Sequence, residues 1–261
     1  MTRQHILAFD VETYPDSELV EATSGTDLAH FREGLKQRTG SDFLPPVYHI
    51  PIAIAFLRVD PVDHIDVEVH TGSLADERAL IEVFWQRCNE TLGTEDRATR
   101  NGTGLLVSFN GTEFDIPVLE LRSLKYALRG NMLVRDPAVH FDVPLFLANY
   151  QPARRRGLRL LTLSKLTGLP GKAMIEGSQV QSYFDAGRLA EVGKYCLLDV
   201  LQTYLLFLRC QLLAGMTQSE YESAIRSLSF FLSASSDPNV KGAFAYLEDA
   251  VRNTLGVESV S

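Results

Sequence analysis

The sequence has few cysteines and no pattern that would organise them. Cys88, Cys196 and Cys210 lie far apart, and none belongs to a C-x-x-C pair. This odd, scattered set argues against a zinc site or a redox motif. We therefore expect buried, reduced thiols.

Long hydrophobic runs are also missing. No segment looks like a membrane span, and the first residues, Met1 to His5, pass directly into a strand-like segment. The basic and apolar regions of a signal peptide are not seen there. These features predict a cytoplasmic protein with no membrane contact.

The chain has no excess of basic residues. It carries 25 Lys and Arg against 33 Asp and Glu, a net charge of -8, which argues against a nonspecific electrostatic grip on a nucleic-acid duplex. An acidic pocket can still hold a phosphodiester when metal ions mediate the contact. The hydrophobic fraction of 45% and the charged fraction of 22% are those of an ordinary folded domain.

The most informative feature present is an apolar segment, Ile6 to Glu12, that contains two carboxylates. Side chains at positions i and i+2 of a strand share a face, so Asp10 and Glu12 lie on the same side. Two like charges on a buried strand are costly without a counter-cation. A hard divalent ion with oxygen ligands would meet that need.

The same D-x-E spacing occurs twice more, at Asp16/Glu18 and Asp66/Glu68. The first of these lies in a polar turn, and the second alternates with apolar residues as a solvated strand face does. Context therefore singles out Asp10 and Glu12.

Apolar periodicity predicts an α/β fold in which three strands are followed by a helix, a strand, a helix and a final strand. The expected strands are 6–12, 48–59, 64–70, 105–109 and 139–143. The expected helices are 27–36, 74–92, one beginning near Asp115 or Pro117, 145–150, 158–167, 187–213, 218–233 and 243–255. Residues 13–47 form an insertion to which the sequence assigns no chemistry.

Two further segments carry candidate chemistry. Asn110 to Asp115 follows the fourth strand, where ligands gather in open α/β sheets, but a turn with a helix N-cap explains it equally well. Tyr195 and Asp199 lie one turn apart on one helix face, although a surface pair has the same spacing. We expect Asp142, on the fifth strand, to be structural.

Taken together, these segments resemble the three exonuclease motifs of the DEDD superfamily, in the version with tyrosine in the third motif. The motifs are Asp10-x-Glu12, Asn110-x-x-x-Phe114-Asp115 and Tyr195-x-x-x-Asp199. The closest resemblance is to the predicted 3′-5′ exonucleases related to the proofreading domain of family B DNA polymerases. It extends from about His5 to Gly215 and implies an RNase H-like mixed five-stranded sheet flanked by helices.

The resemblance also implies a site for two Mg²⁺ or Mn²⁺ ions. Asp10 would bridge both ions, Glu12 and Asp199 would complete one of them, and Asp115 would help to hold the other. Tyr195 would hydrogen-bond the attacking water, and because a phenol has a pKa near ~10 we expect it to orient that water rather than deprotonate it.

Five residues are candidates for substrate binding. By resemblance, Asn110 and Phe114 line the path of the 3′ end, and Phe114 could stack on a base. Arg154 and Arg155, in the one dense basic run, and Lys172 could contact phosphates, although a solvated loop explains the arginine run equally well.

These expectations give residues 1–215 as an exonuclease domain and 216–261 as a C-terminal helical extension. The expected activity is metal-dependent 3′-5′ hydrolysis of single-stranded nucleic acid, with release of nucleoside 5′-monophosphates and no nucleotide cofactor. DNA is favoured over RNA as the substrate, but no residue in the sequence declares that preference. The sequence names no protein partner. The alternatives are a noncatalytic nucleic-acid-binding module on the same fold and, last, a simple divalent-cation protein.

Overall fold

A five-stranded mixed sheet forms the centre of the protein, with strand order β3-β2-β1-β4-β5. The computed structural model describes residues 4–62, 64–93, 104–171 and 177–254. The strands are β1 (Ile6–Pro15), β2 (His49–Val59), β3 (Ile65–Thr71), β4 (Leu105–Ser108) and β5 (His140–Asp142). β2 is antiparallel to β1 and β3, whereas β4 is parallel to β1 and β5. The predicted mixed sheet is confirmed.

Helices cover both faces of this sheet. They are α1 (Ser17–Ser24), α2 (Leu28–Thr39), α3 (Glu77–Leu92), α4 (Asp115–Lys125), α5 (Val143–Leu147), α6 (Leu160–Leu166), α7 (Val180–Asp185), α8 (Leu189–Leu213), α9 (Gln218–Ala234) and α10 (Pro238–Thr254). The sequence predicted the long helices but missed the two short helices α1 and α7. Helix α1 is capped by the Asp16 side chain, which accepts a hydrogen bond from the Leu19 amide at 3.0 Å.

The two faces of β1 have different partners. Leu7, Phe9 and Val11 join one hydrophobic cluster with α3, in which the Phe9 and Phe84 rings lie 5.1 Å apart between centroids. Ala8 belongs to the opposite cluster, which contains the buried face of α8. Strand alternation places the side chains of Asp10 and Glu12 on the α8 side as well.

Helix α8 is the central element of that second cluster. By length and composition α8 could span a membrane, which was not recognised from the sequence, but 78% of its most apolar 18 residues are buried inside the protein, as in the core helix of a folded domain. The Cys196 thiol on α8 donates a hydrogen bond to the Asp10 carbonyl oxygen at 3.3 Å. All three cysteines are free and buried, as predicted.

The C-terminal helices α9 and α10 pack against α8. Their apolar side chains, among them Leu228 and Leu247, are fully buried and belong to the same hydrophobic cluster as α8. The division of the chain at residue 215 stays a prediction.

Residues 16–48 connect β1 to β2, and we call them the β1–β2 connection. Its two ends are neighbours, because Pro15 and His49 are register partners in the sheet and the Asp16 amide donates to the Tyr48 carbonyl at 2.8 Å. Everything between these points is therefore a side excursion from the β1–β2 pair, whose register shifts once, between Glu12 and Thr13.

A buried ion cluster fixes the start of this excursion. The Arg122 guanidinium, on α4, bonds both Asp16 at 2.7 Å and Glu77 at the start of α3. Burial alone would raise the pKa of Glu77, but its hydrogen bonds to Arg122, Lys125 and Tyr126 lower it overall. The cluster thus ties the end of β1 to α3 and α4 through a buried charge that is fully paired.

The close approach of α8 to the sheet requires glycine at position 193. A Cβ there would lie 2.8 Å from Thr71 Cγ2 and 2.9 Å from Val69 Cγ1. Both neighbours are branched side chains on β3 with little freedom to move, so we expect Gly193→Ala to destabilise the fold by about 1–2 kcal/mol. Urea unfolding followed by circular dichroism measures this change.

Gly34→Ala is the matched control, since Gly34 is also inside a helix but a Cβ there meets only Arg38, at 3.5 Å. Replacement of an unhindered helical glycine by alanine should stabilise the protein by about 0.5–1 kcal/mol. Equal effects at the two sites would show that the contact with β3 is not tight.

Candidate metal centre and substrate cleft

Three carboxylates converge between β1 and α8. Asp10, Glu12 and Asp199 each offer an oxygen atom, and these oxygens all lie within 4.8 Å of one another. Asp10 and Glu12 are half-buried and Asp199 is buried, so their mutual repulsion is poorly screened. Such an all-oxygen donor set fits a hard divalent cation such as Mg²⁺ or Mn²⁺.

The fourth predicted carboxylate, Asp115, lies beside this cluster at the first turn of α4. It is buried, and its pKa is raised well above the usual range by burial first and then by the charges of Asp10 and Asp142. Asp115 is therefore near enough to Asp10 for that charge to contribute to its raised pKa, while the group of acids whose oxygens lie within 4.8 Å of one another consists of Asp10, Glu12 and Asp199.

An Asn-Gly pair positions Asp115 after β4. Asn110 adopts the left-handed conformation with φ 67°, which asparagine tolerates better than most residues. A Cβ at Gly111 would lie 2.6 Å from Ser108 Oγ and 3.2 Å from Asp115 Oδ2. A larger residue at position 111 would displace the Ser108 side chain and also crowd the Asp115 carboxylate.

Asp142 supports the same turn, in keeping with the structural role expected for it. Its Oδ2 accepts hydrogen bonds from the Thr112 amide at 3.1 Å and from the Thr112 hydroxyl at 2.8 Å. Its Oδ1 accepts from the Leu145 amide at 3.2 Å and so caps α5.

Tyr195 lies one turn before Asp199 on α8, and its hydroxyl hydrogen-bonds the Asp199 carboxylate. Burial, followed by the charges of Asp199, Glu12 and Asp10, raises the pKa of the phenol far above its usual value. The phenol is therefore neutral at physiological pH and can donate a hydrogen bond but cannot act as a general base.

Asp10, Glu12 and Asp199 line a large cleft of about 970 Å³. Its lining includes the predicted residues Asp10, Glu12, Asp199, Asn110 and Phe114. Their roles in binding stay predictions, but their placement around one cleft joins the three sequence motifs into a single site.

The predicted phosphate contacts are placed less favourably. Arg155 is 13% exposed, and its guanidinium bonds Asn110 Oδ1 at 3.0 Å and Glu113 at 2.8 Å. Arg154 is exposed on the same turn. Lys172 lies outside the described residues. Among the described residues that line the cleft, the arginines are Arg32 and Arg159.

The sequence missed the contribution of the β1–β2 connection, which supplies one wall of the cleft through Arg32, Asp42, Phe43 and Leu44. The one signal was Phe43-Leu44, an apolar pair in a polar segment. A single phenylalanine does not reveal which distant residues it will face, so this wall is found only in three dimensions.

His49 links that wall to β1, the strand that carries Asp10 and Glu12; we call β1 the metal-site strand. Its Nε2 donates to the Leu44 carbonyl at 3.1 Å, and its Nδ1 accepts from the Thr13 hydroxyl at 2.8 Å. Burial and then the charge of Arg32 lower the pKa of His49, against an opposing effect of the Leu44 hydrogen bond. The neutral ring thus joins the residue after Glu12 to the connection.

Comparison with known families matches the chain to proteins described as predicted 3′-5′ exonucleases related to the exonuclease domain of PolB. The match covers residues 41–248, which include Asp115, Tyr195 and Asp199. It begins after β1, so Asp10 and Glu12 are associated with the other site residues by the geometry described above. No curated protein matches the chain.

The raised pKa of Asp115 predicts that this acid destabilises the metal-free fold but strengthens metal binding. An acid with a higher pKa in the folded than in the unfolded state destabilises the fold at any pH above its unfolded pKa. We therefore expect Asp115→Asn to raise the melting temperature at pH 8 in EDTA. We also expect it to reduce the further rise that Mn²⁺ produces in the parent.

Glu18→Gln is the control, because Glu18 is an exposed acid in the same D-x-E spacing. It should leave both melting temperatures nearly unchanged in thermal scans followed by circular dichroism. A lower melting temperature for Asp115→Asn in EDTA, or an Mn²⁺ shift equal to that of the parent, would contradict this account of the site.

Proposed function

The chain belongs to the family of predicted 3′-5′ exonucleases related to the exonuclease domain of PolB, and from that premise we propose that it hydrolyses phosphodiester bonds at the 3′ end of single-stranded nucleic acid. The observation that carries the proposal is the convergence of Asp10, Glu12 and Asp199 on one point at the edge of an open cleft. The products are nucleoside 5′-monophosphates, and we propose DNA rather than RNA as the substrate.

Two Mg²⁺ or Mn²⁺ ions are the proposed cofactors. Asp10, Glu12 and Asp199 would hold them, with Asp115 as the fourth carboxylate beside Asp10. Bound there, the ions would supply electrostatic activation of the attacking water and stabilise the charge that develops on the leaving oxygen. Without the ions, four acids remain close together in a partly buried site, and their mutual repulsion destabilises the metal-free protein.

The remaining residues hold and orient the reactants. Tyr195 is neutral and its hydroxyl proton is directed to Asp199, so its oxygen is the atom that would accept a hydrogen bond from the attacking water and orient it toward the phosphorus. Asn110 and Phe114 receive the 3′ end from the cleft. Arg155 holds the Asn110 side chain through its carbonyl oxygen, which leaves the Asn110 amide nitrogen available to donate to the substrate.

Loss of a carboxylate should abolish turnover. Asp10→Asn and Asp199→Asn each remove a charged ligand, and we expect Mg²⁺- or Mn²⁺-dependent degradation to fall by about a thousandfold or more. The assay follows 5′-labelled single-stranded DNA and RNA on denaturing gels, with Glu18→Gln as the control that retains parental activity.

Two results would count against the proposal. Degradation by Asp10→Asn at the parental rate would remove these acids from the mechanism. Tight binding of single strands by the parent without any cleavage, with every divalent ion tried, would favour the noncatalytic module instead.

Replacement of Tyr195 distinguishes two roles for its hydroxyl, orientation of the attacking water and general-base catalysis. Tyr195→Phe keeps the buried ring and removes only the hydroxyl, so we expect kcat to fall by about 100-fold with KM changed little. Because the phenol is neutral throughout the physiological range, kcat in the parent should show no ionisation that disappears in the variant. A pH profile that loses such a step would instead identify Tyr195 as a base.

A further inference from the structure

Phe43 is the most exposed aromatic side chain of the cleft wall. It is 61% exposed, and it lines the same cleft as the carboxylates Asp10, Glu12 and Asp199. The exposure leaves apolar area in water that burial would stabilise. Single exposed apolar residues are common, so the argument depends on how this ring is held.

The ring of Phe43 is fixed in place by its neighbours. Its centroid lies 5.2 Å from that of His49 and 5.1 Å from that of Phe114. The next residue, Leu44, is buried, and its carbonyl accepts the hydrogen bond from His49 Nε2. Since His49 also bonds Thr13, Phe43 is held at a set position relative to the metal-site strand.

The geometry of this aromatic cluster leaves the Phe43 ring able to contact a ligand. The Phe43 and Phe114 rings are inclined by 54°, so they do not stack on one another. Phe114 is half-buried and packs edge-on against His49 at 86°. Phe43 therefore extends the surface of Phe114 outward into the cleft, and the entropic cost of ordering the ring is met before a ligand arrives.

The charges around this surface indicate the class of ligand. Arg32 and Arg159 line the cleft together with Asp42 and the three carboxylates of the candidate metal site. Aromatic rings contact bases, guanidinium groups contact phosphates, and a divalent ion would link the carboxylates to the scissile phosphate. That combination is typical of sites for single-stranded nucleic acid, where stacking tolerates any base.

We propose that Phe43 is a substrate-binding residue that stacks on one of the last three bases at the 3′ end of the strand. This inference rests on the proposed function and adds a contact from outside the three exonuclease motifs. It also gives the β1–β2 connection a role, as the wall that holds the strand against the metal site.

The test combines protein variants with substrates that lack one base. Phe43→Ala removes the ring, Phe43→Trp keeps an aromatic surface, and Phe230→Ala is the control because Phe230 is 75% exposed on α9. Binding of 5′-labelled oligothymidylate is measured by fluorescence anisotropy with Ca²⁺, and KM and kcat are measured with Mg²⁺. Abasic nucleotides are placed in turn at each of the last three positions.

We expect Phe43→Ala to weaken binding and raise KM by about tenfold, with little change in kcat or melting temperature. Phe43→Trp and Phe230→Ala should stay close to the parent. At one position, an abasic nucleotide should weaken binding by the parent by about tenfold but cause almost no further loss in Phe43→Ala. A residue with a purely structural role would not show this coupling.

Two outcomes would overturn the inference while leaving the proposed function intact. In one, the parent degrades the strand and Phe43→Ala binds it equally well. In the other, Phe43→Ala loses the same factor at every abasic position as the parent does. If the parent neither binds nor degrades any single strand, the proposed function fails and this inference fails with it.

Discussion

Mutual repulsion among carboxylates is the constraint on which the rest of the structure depends. Asp10, Glu12 and Asp199 present oxygens within 4.8 Å of one another, and like charges at that separation do not stay together unless the backbone holds them. The packing of α8 on β1 supplies that force. Gly193 allows α8 to approach the sheet closely. The Cys196 thiol, also on α8, donates a hydrogen bond to the Asp10 carbonyl oxygen on β1.

The repulsion among these acids also explains why the core around the charged site is so apolar. α8 is nearly all hydrophobic over the turns that face the sheet, and burial of these side chains offsets the cost of the acids. The Asn-Gly turn after β4 positions Asp115 by a different route, through the close approach of the Gly111 backbone to the Ser108 side chain. Apolar packing thus stabilises the fold, and the clustered acids destabilise it at the edge of the sheet where the chemistry is proposed to occur.

Local patterns predicted the parts of this arrangement that depend on local sequence. Strand alternation placed Asp10 and Glu12 on one face, and helical spacing placed Tyr195 one turn before Asp199, as the structure confirms. Long-range pairings were not predictable in this way. Arg155 was a candidate phosphate contact or part of a solvated loop, and in the structure it forms an ion pair with Glu113. The sequence does not show that pairing, because it does not show which exposed charges meet in three dimensions.

The register of β1 and β2 has a consequence for how such a protein can diversify. Pro15 and His49 are partners in the sheet, so the intervening 16–48 excursion departs from and rejoins the strand pair at one place. Loop closure entropy grows only slowly with length, and such an excursion can be lengthened, shortened or grafted without disturbing the strand that bears Asp10 and Glu12. Changes in the length of residues 16–48 would therefore alter one wall of the cleft while the strand that carries Asp10 and Glu12 keeps its pairing with β2.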